Sequence, residues 1–216
     1  MWTLHLALSV VLLFQSENSK TIERLFGLSF HDAVQTLQQQ NAAYLEKQGL
    51  SKADIAEQNK APESLLANFN ALPLNHQNFG AAIVSALSNG SITTEQLNLI
   101  FCTQTDRVMA VELLIRKTKS TDSSSEISLV QQMFSLPAGV SFETHHPAMK
   151  YPLPGITYTD DGMWQEAADA TPVSVWEAGG IETVFQPIRN GSSLNGQLWI
   201  TNKTFSNECA RGPGNK

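Results

Sequence analysis

Glu143-Thr144-His145-His146-Pro147 is the densest run of side chains able to ligate a metal or move a proton. With Asp160 and Asp161 it offers a His/carboxylate metal site. Ser141, His145 and Asp161 supply the residue types of a Ser/His/Asp hydrolase. The spacing argues for less. Adjacent His145 and His146 point to opposite faces of an extended segment, so one ion does not readily take both. The chain has no His-x-x-x-His or His-Glu-x-x-His pattern and no Gly-x-Ser-x-Gly elbow. A loop with surface histidines is the expectation, with no metal and no cofactor. The catalytic alternative is an exported metal-dependent or nucleophilic hydrolase using His145, His146 and Asp161.

Sulfur gives a second candidate. Cys102 with His76 has the makings of a thiol nucleophile pair. Cys102 follows Leu99-Ile100-Phe101, however, which reads as a buried structural position. The other cysteine is Cys209, too far along the chain for local zinc-ligand spacing. In an oxidising compartment Cys102 and Cys209 could pair and tie the C-terminal tail to the middle of the chain. Two unrelated thiols are the alternative. Asp160-Asp161-Gly162 reads as a turn before it reads as a calcium loop, because no EF-hand spacing follows. Trp164, Trp176, Phe185 and Trp199 sit on strand-like segments and are expected in the core. Sequons stand at Asn89, Asn190 and Asn202 and count only in a secreting eukaryote.

Charge narrows the partners. The formal net charge is −6, and no basic cluster exceeds the 116–119 segment. A nucleic-acid binder needs a clustered basic footprint to displace counterions, so DNA and RNA are excluded as main partners. Charged residues are 16% of the chain, and Ser, Thr, Asn and Gln fill the deficit. Exported proteins carry such neutral polar surfaces more often than cytosolic enzymes.

The elements that would hold these residues fall into an order. Residues 2–14 are apolar apart from Thr3, His5 and Ser9. As a helix this run is about 20 Å long against a hydrocarbon thickness of ~30 Å, which suits a signal-peptide core better than a span. No Lys or Arg precedes it and no clear small-x-small cleavage site follows, so an uncleaved anchor stays open. Residues 19–46 read as one long helix with Ile22, Leu25, Phe26, Phe30, Ala33, Val34, Leu37 and Leu45 at helical spacing. Gly49 stops it, Ser51 with Asp54 caps a short helix, and Pro62 opens another. Helices are also expected from Asn75 or His76 to Ser88, and from Thr93 through Phe101 with a Thr-x-x-Gln capping box.

Strand signals dominate after residue 106. Segments 108–117 and 126–134 flank a Ser-rich stretch, 120–125, that reads as a hairpin loop. Further strands are expected at 139–143, 156–159, 173–177, 181–186 and 197–201, with Asn195-Gly196 as a hairpin turn. The fold class is therefore α+β, with a long N-terminal helix and a helical half followed by a mainly antiparallel sheet half. Residues 1–18 form a signal peptide or membrane anchor, 19–105 a helical region, and 106–216 a strand-rich region packed with it as one domain.

Leu136-Pro-Ala-Gly-Val-Ser-Phe142 and the stretch Val184-Phe-Gln-Pro-Ile-Arg-Asn-Gly-Ser-Ser-Leu-Asn-Gly-Gln-Leu-Trp-Ile200 resemble a strand entry and a hairpin of the minor pseudopilins. The layout, an apolar N-terminal helix leading to a head with an antiparallel sheet, resembles the type IV pilin superfamily. At the N-terminus, Trp2-Thr-Leu-His-Leu stands in place of the family's pattern, and the first glutamate is Glu17. The resemblance implies a noncatalytic structural or binding component of the cell envelope or an extracellular appendage. Protein partners or a homo-oligomer, and membrane contact through the N-terminal segment, go with it. Export, to a membrane-anchored, periplasmic or extracellular location, is the expectation on either function; a secreted glycoprotein acting as a recognition module is the further alternative.

Overall fold

The computed structural model describes residues 17–61, 71–75, 79–117, 126–136, 141–143, 173–190 and 193–211. The long helix expected over 19–46 is broken. It becomes α1 (Glu17–Glu23) and α2 (Phe30–Lys47). The cause is tertiary: the Gly27 N–H donates to Val108 O at 2.9 Å, and the Val108 N–H donates to Leu28 O at 2.9 Å. This short stretch is drawn out of the helix to pair with a strand. Gly27 holds φ +79°, and a Cβ there would lie 2.5 Å from Phe205 Cζ. Side chains other than glycine rarely adopt that φ, and here there is no space either. Ser29 then restarts the helix, its hydroxyl accepting from the Asp32 N–H.

At the far end, α2 closes as expected at Gly49. The Leu50 N–H reaches Leu45 O at 3.2 Å and the Gly49 N–H reaches Glu46 O at 3.0 Å, which satisfies the last carbonyls. Ser51 caps α3 (Lys52–Gln58) by accepting from the Asp54 N–H.

The remaining described elements are β1 (Ala71–Asn75), α4 (Ala81–Ala86), β2 (Ile92–Cys102), β3 (Arg107–Lys117), α5 (Glu126–Phe134), β4 (Ser141–Glu143), β5 (Val173–Ala178), β6 (Ile181–Asn190), β7 (Ser193–Asn202) and α6 (Lys203–Arg211). The strands make one seven-stranded sheet in the order β1-β2-β3-β7-β6-β5-β4. Every pairing in it is antiparallel. The α+β class therefore holds, and α1 to α3 precede the first described strand. Helices and strands are less segregated than expected: β2 lies within 19–105, and α5 and α6 lie within 106–216.

Several local expectations are corrected. The segment expected as a helix from Thr93 is β2, whose Leu97, Leu99 and Phe101 are buried at alternate positions. Period two wins there because β2 is paired on both sides, by β1 and β3. The expected helix from Asn75 or His76 shrinks to α4, and Asn75 itself ends β1. The expected strand at 126–134 is α5, which buries Leu129, Val130, Met133 and Phe134. These recur at helical steps, so one side of a helix buries all of them. Segments 108–117 and 126–134 therefore do not form a hairpin; β3 pairs with β2 and β7 instead. Asn195-Gly196 is no turn either. Both lie inside β7, and the reversal falls between the paired Asn190 and Ser193. Gly196 is small for a packing reason, since a Cβ there would sit 2.2 Å from Phe185 Cε2. The apolar run 2–14, the helix opened by Pro62, the 120–125 loop, the 156–159 strand and Trp164 lie outside the described residues.

The sheet has a core on each face. On one, Ile22, Ala33, Leu37, Ile83, Val84, Leu129, Val130 and Met133 from the helices pack against Leu97, Leu99, Phe101, Val111, Leu113, Ile115, Phe185, Leu198 and Ile200. The helical stripe read from 22–45 is thus satisfied within the chain. Fully burying a side chain of this size contributes about 1.5–3 kcal/mol. Phe30 meets Phe101 edge-on, with centroids 5.5 Å apart. The second core, on the opposite face, joins Ile100, Met109, Ala110, Val175, Val184 and Trp199 beneath α6, which contributes Cys209 and Phe205. Trp176, Phe185 and Trp199 are core residues, as their strand positions predicted.

Candidate functional site

The face of the sheet away from α2 and α5 is not uniformly apolar. Next to the second core, a polar row crosses β2, β3 and β7. Glu112 stands in β3 between Val111 and Leu113, with its neighbours in register being Asn98 on β2 and Trp199 on β7. Strand alternation sends Val111 and Leu113 to the helical side and Glu112 to the other. Its carboxylate accepts from Asn98 Nδ2 at 2.7 Å through Oε2. Its Oε1 accepts from Gln197 Nε2. Gln96 Nε2 in turn donates to Asn98 Oδ1 at 3.1 Å. Every donor in the row thus points, directly or through Asn98, toward one carboxylate.

Burial grades across the row. Gln96 is exposed, Asn98 and Glu112 are half-buried, and Gln197 is 1% exposed. Loss of solvent pushes the Glu112 carboxyl above the ordinary glutamate range, and the amides of Asn98 and Gln197 pull it partly back. Gln197 Oε1 is buried without a hydrogen-bond partner. The nearest basic side chain along β3 on this face, Arg116, pairs with Glu95 at 2.7 Å. The row is therefore a partly desolvated acid with neutral support.

Beside this row, α6 is clamped to the sheet. Cys102, the last residue of β2, and Cys209 of α6 form a disulfide with Sγ atoms 2.02 Å apart. The two cysteines are 0% and 1% exposed, so the bridge lies inside the second core. Asn202 Oδ1 caps α6 by accepting from the N–H groups of Thr204 at 3.0 Å and Phe205 at 3.3 Å. The Arg107 guanidinium lies over the Phe205 ring, 5.8 Å from its centroid. Lys203 Nζ meets Glu177 Oε1 at 2.9 Å on the surface.

The pairing of Cys102 with Cys209 joins positions that the sequence left open. It also removes the alternative of Cys102 as a thiol nucleophile with His76, and Cys102 takes the buried structural position expected of it, its sulfur bonded to Cys209. His145, His146 and Asp161, like Asp160 and Ser141's downstream partners in the hydrolase reading, lie outside the described residues. Among the described residues no group of His, Cys, Asp and Glu is arranged to hold a metal ion. Among them, too, no helix is long and apolar enough to cross a membrane. The sequons at Asn89 and Asn202 fall on turn and cap positions. The Asn89 side-chain oxygen accepts from the Ser91 and Ile92 N–H groups, each at 2.8 Å.

Sequence reasoning missed the Glu112 row because it placed Gln96 and Asn98 on a helix. The available signal was a single acid inside the otherwise apolar run Val108-Met-Ala-Val-Glu-Leu-Leu-Ile115. Comparison with protein-family models, with curated proteins and with solved structures finds no match.

Proposed function

We propose that this chain is a noncatalytic structural or binding component of the cell envelope or of an extracellular appendage, exported to an oxidising compartment. The Cys102–Cys209 disulfide carries the reading. Disulfides form and persist outside the reducing cytosol, and this one sits in the core and ties the last helix to the sheet. The apolar run at residues 2–14 supports it as a signal peptide or anchor, and so does the low charged fraction of 16%. The pilin-like layout supplies the assembly form of the proposal: a head with an antiparallel sheet, held at a membrane by its N-terminal segment and meeting protein partners or further copies of itself. The Cys102 sulfur is consumed in cross-linking, so it does not serve as a nucleophile.

Fractionation of the producing cells, with sequencing of the N-terminal residue, tests this reading. The mature protein is expected either to start after the apolar run or to keep it and partition with membranes. An intact N-terminus on protein found wholly in the cytosolic fraction overturns the reading.

A further inference from the structure

We infer that the Glu112 row is a binding site for an alkylammonium group, carried by a small amine or by a lysine side chain of a partner protein. The inference stands whatever compartment the chain occupies. The row leaves hydrogen-bond valences open among the described residues. A carboxylate offers about four lone-pair sites. At Glu112 the two recorded donors, Asn98 Nδ2 and Gln197 Nε2, are neutral carboxamides. Gln197, almost wholly buried, keeps Oε1 without a partner. Gln96 points its own amide N–H inward to Asn98. Among the described residues, what remains on offer around Glu112 is acceptor capacity, so the complementary ligand is a donor.

Charge selects among donors. Among the described residues no Lys, Arg or His pairs with Glu112, and Arg116 is committed to Glu95. Among the described residues, this half-buried carboxylate has lost hydration without gaining a counter-charge. A cation that enters here offsets that loss, and its hydrogen bonds to the carboxylate are charge-assisted and short. Geometry selects among cations. A guanidinium prefers a planar fork onto both oxygens at once, and with an amide already on each Glu112 oxygen it must take the last lone pair of both together. A hard metal ion takes six or more oxygens, several of them anionic. An ammonium is a compact point charge whose three donors need only one free lone pair each. Half-buried Leu114, which faces Gln197 across the β3–β7 pair, offers its carbon stem an apolar shoulder.

The test is an NMR titration of the side-chain amides of Gln96, Asn98 and Gln197 in the full chain at constant ionic strength. The probes are n-butylammonium, Nα-acetyl-lysine N-methylamide and tetramethylammonium, which carries the same charge without N–H donors. Saturable shifts of Asn98 and Gln197 with the first two are expected, weakened by about tenfold or more for tetramethylammonium and for Glu112→Gln. Binding of the lysine derivative points to a partner protein as the source. Binding of n-butylammonium alone points to a small amine. Linear shifts, equal response to tetramethylammonium, or binding unchanged in folded Glu112→Gln overturns the inference. Where Glu112→Gln fails to fold, the comparison of probes on the unaltered chain decides.

Discussion

Glu112 shows what one side chain does in this sheet. Its raised pKa means that the folded chain holds the proton to a higher pH than the unfolded chain does. Between those pKa values the folded state binds more protons, so stability falls as pH rises through the window. Below the unfolded value both states are protonated and the penalty is absent. Glu112→Gln keeps the size and one acceptor but does not ionise. Urea midpoints measured from below the ordinary glutamate range to neutral pH are expected to fall less with pH in Glu112→Gln than in the unaltered chain. Glu17, whose Lys20 partner lowers its pKa, is present in both proteins and cancels in the comparison. Parallel pH curves would contradict this account. Residue-level legibility was uneven for physical reasons. The cysteines could be named as a possible pair because only two exist, but pairing depends on an oxidising compartment and on a long-range contact that spacing does not show. Gln96 and Asn98 could not, because amides carry no signal until the strand register places them beside an acid.

At the level of elements, pairing and packing override local spacing. Thr93 and Gln96 imitate a capping box, yet the segment has β1 on one side and β3 on the other, and the ladder wins. The reverse holds at α5, where apolar residues close together in sequence suit a helix face on the core. The expected helix over 19–46 kept its buried stripe but lost its continuity, since the hydrogen bonds of Gly27 and Leu28 to Val108 are non-local and leave no trace in the pattern. Another non-local device caps α4. Its N-cap, Gly80, has no side chain, and Asn41 of α2 supplies the missing acceptor, taking the Ala82 N–H at 3.1 Å. Asn41 is fully buried, and its Nδ2 donates to Asn59 Oδ1 at 3.2 Å. Asn59 is joined to α2 a second time, donating from Nδ2 to Gln38 O at 2.8 Å. Asn41→Ala leaves the half-buried Ala82 N–H without its acceptor and loosens α2, α3 and α4 together. A loss of about 1–3 kcal/mol in urea unfolding is expected. A change below about 0.5 kcal/mol, typical of surface substitutions, would show that the cap is replaced by solvent.

At the scale of the whole molecule, one antiparallel sheet separates a large helical core from a smaller one under α6. The α+β class and the strands near 108–117, 173–177, 181–186 and 197–201 were legible, because alternation is a local signal, whereas 126–134 folds as α5 and Asn195-Gly196 lies inside β7. The sheet order was not, because β3 pairs with β7 across a long stretch of chain. The disulfide closes a loop whose ends are 107 residues apart. In the chain-entropy account a bridge of that span removes about 4–5 kcal/mol of unfolded-state freedom, a large share of an ordinary domain's stability. A short terminal helix can therefore cover the second core securely only where its bridge survives. The most direct measurement is the thiol state of the protein in the cells that make it, trapped by alkylation at lysis and read by peptide mass mapping without reductant. The account predicts that the peptides containing Cys102 and Cys209 are recovered joined. Recovery of both cysteines as alkylated thiols would contradict it.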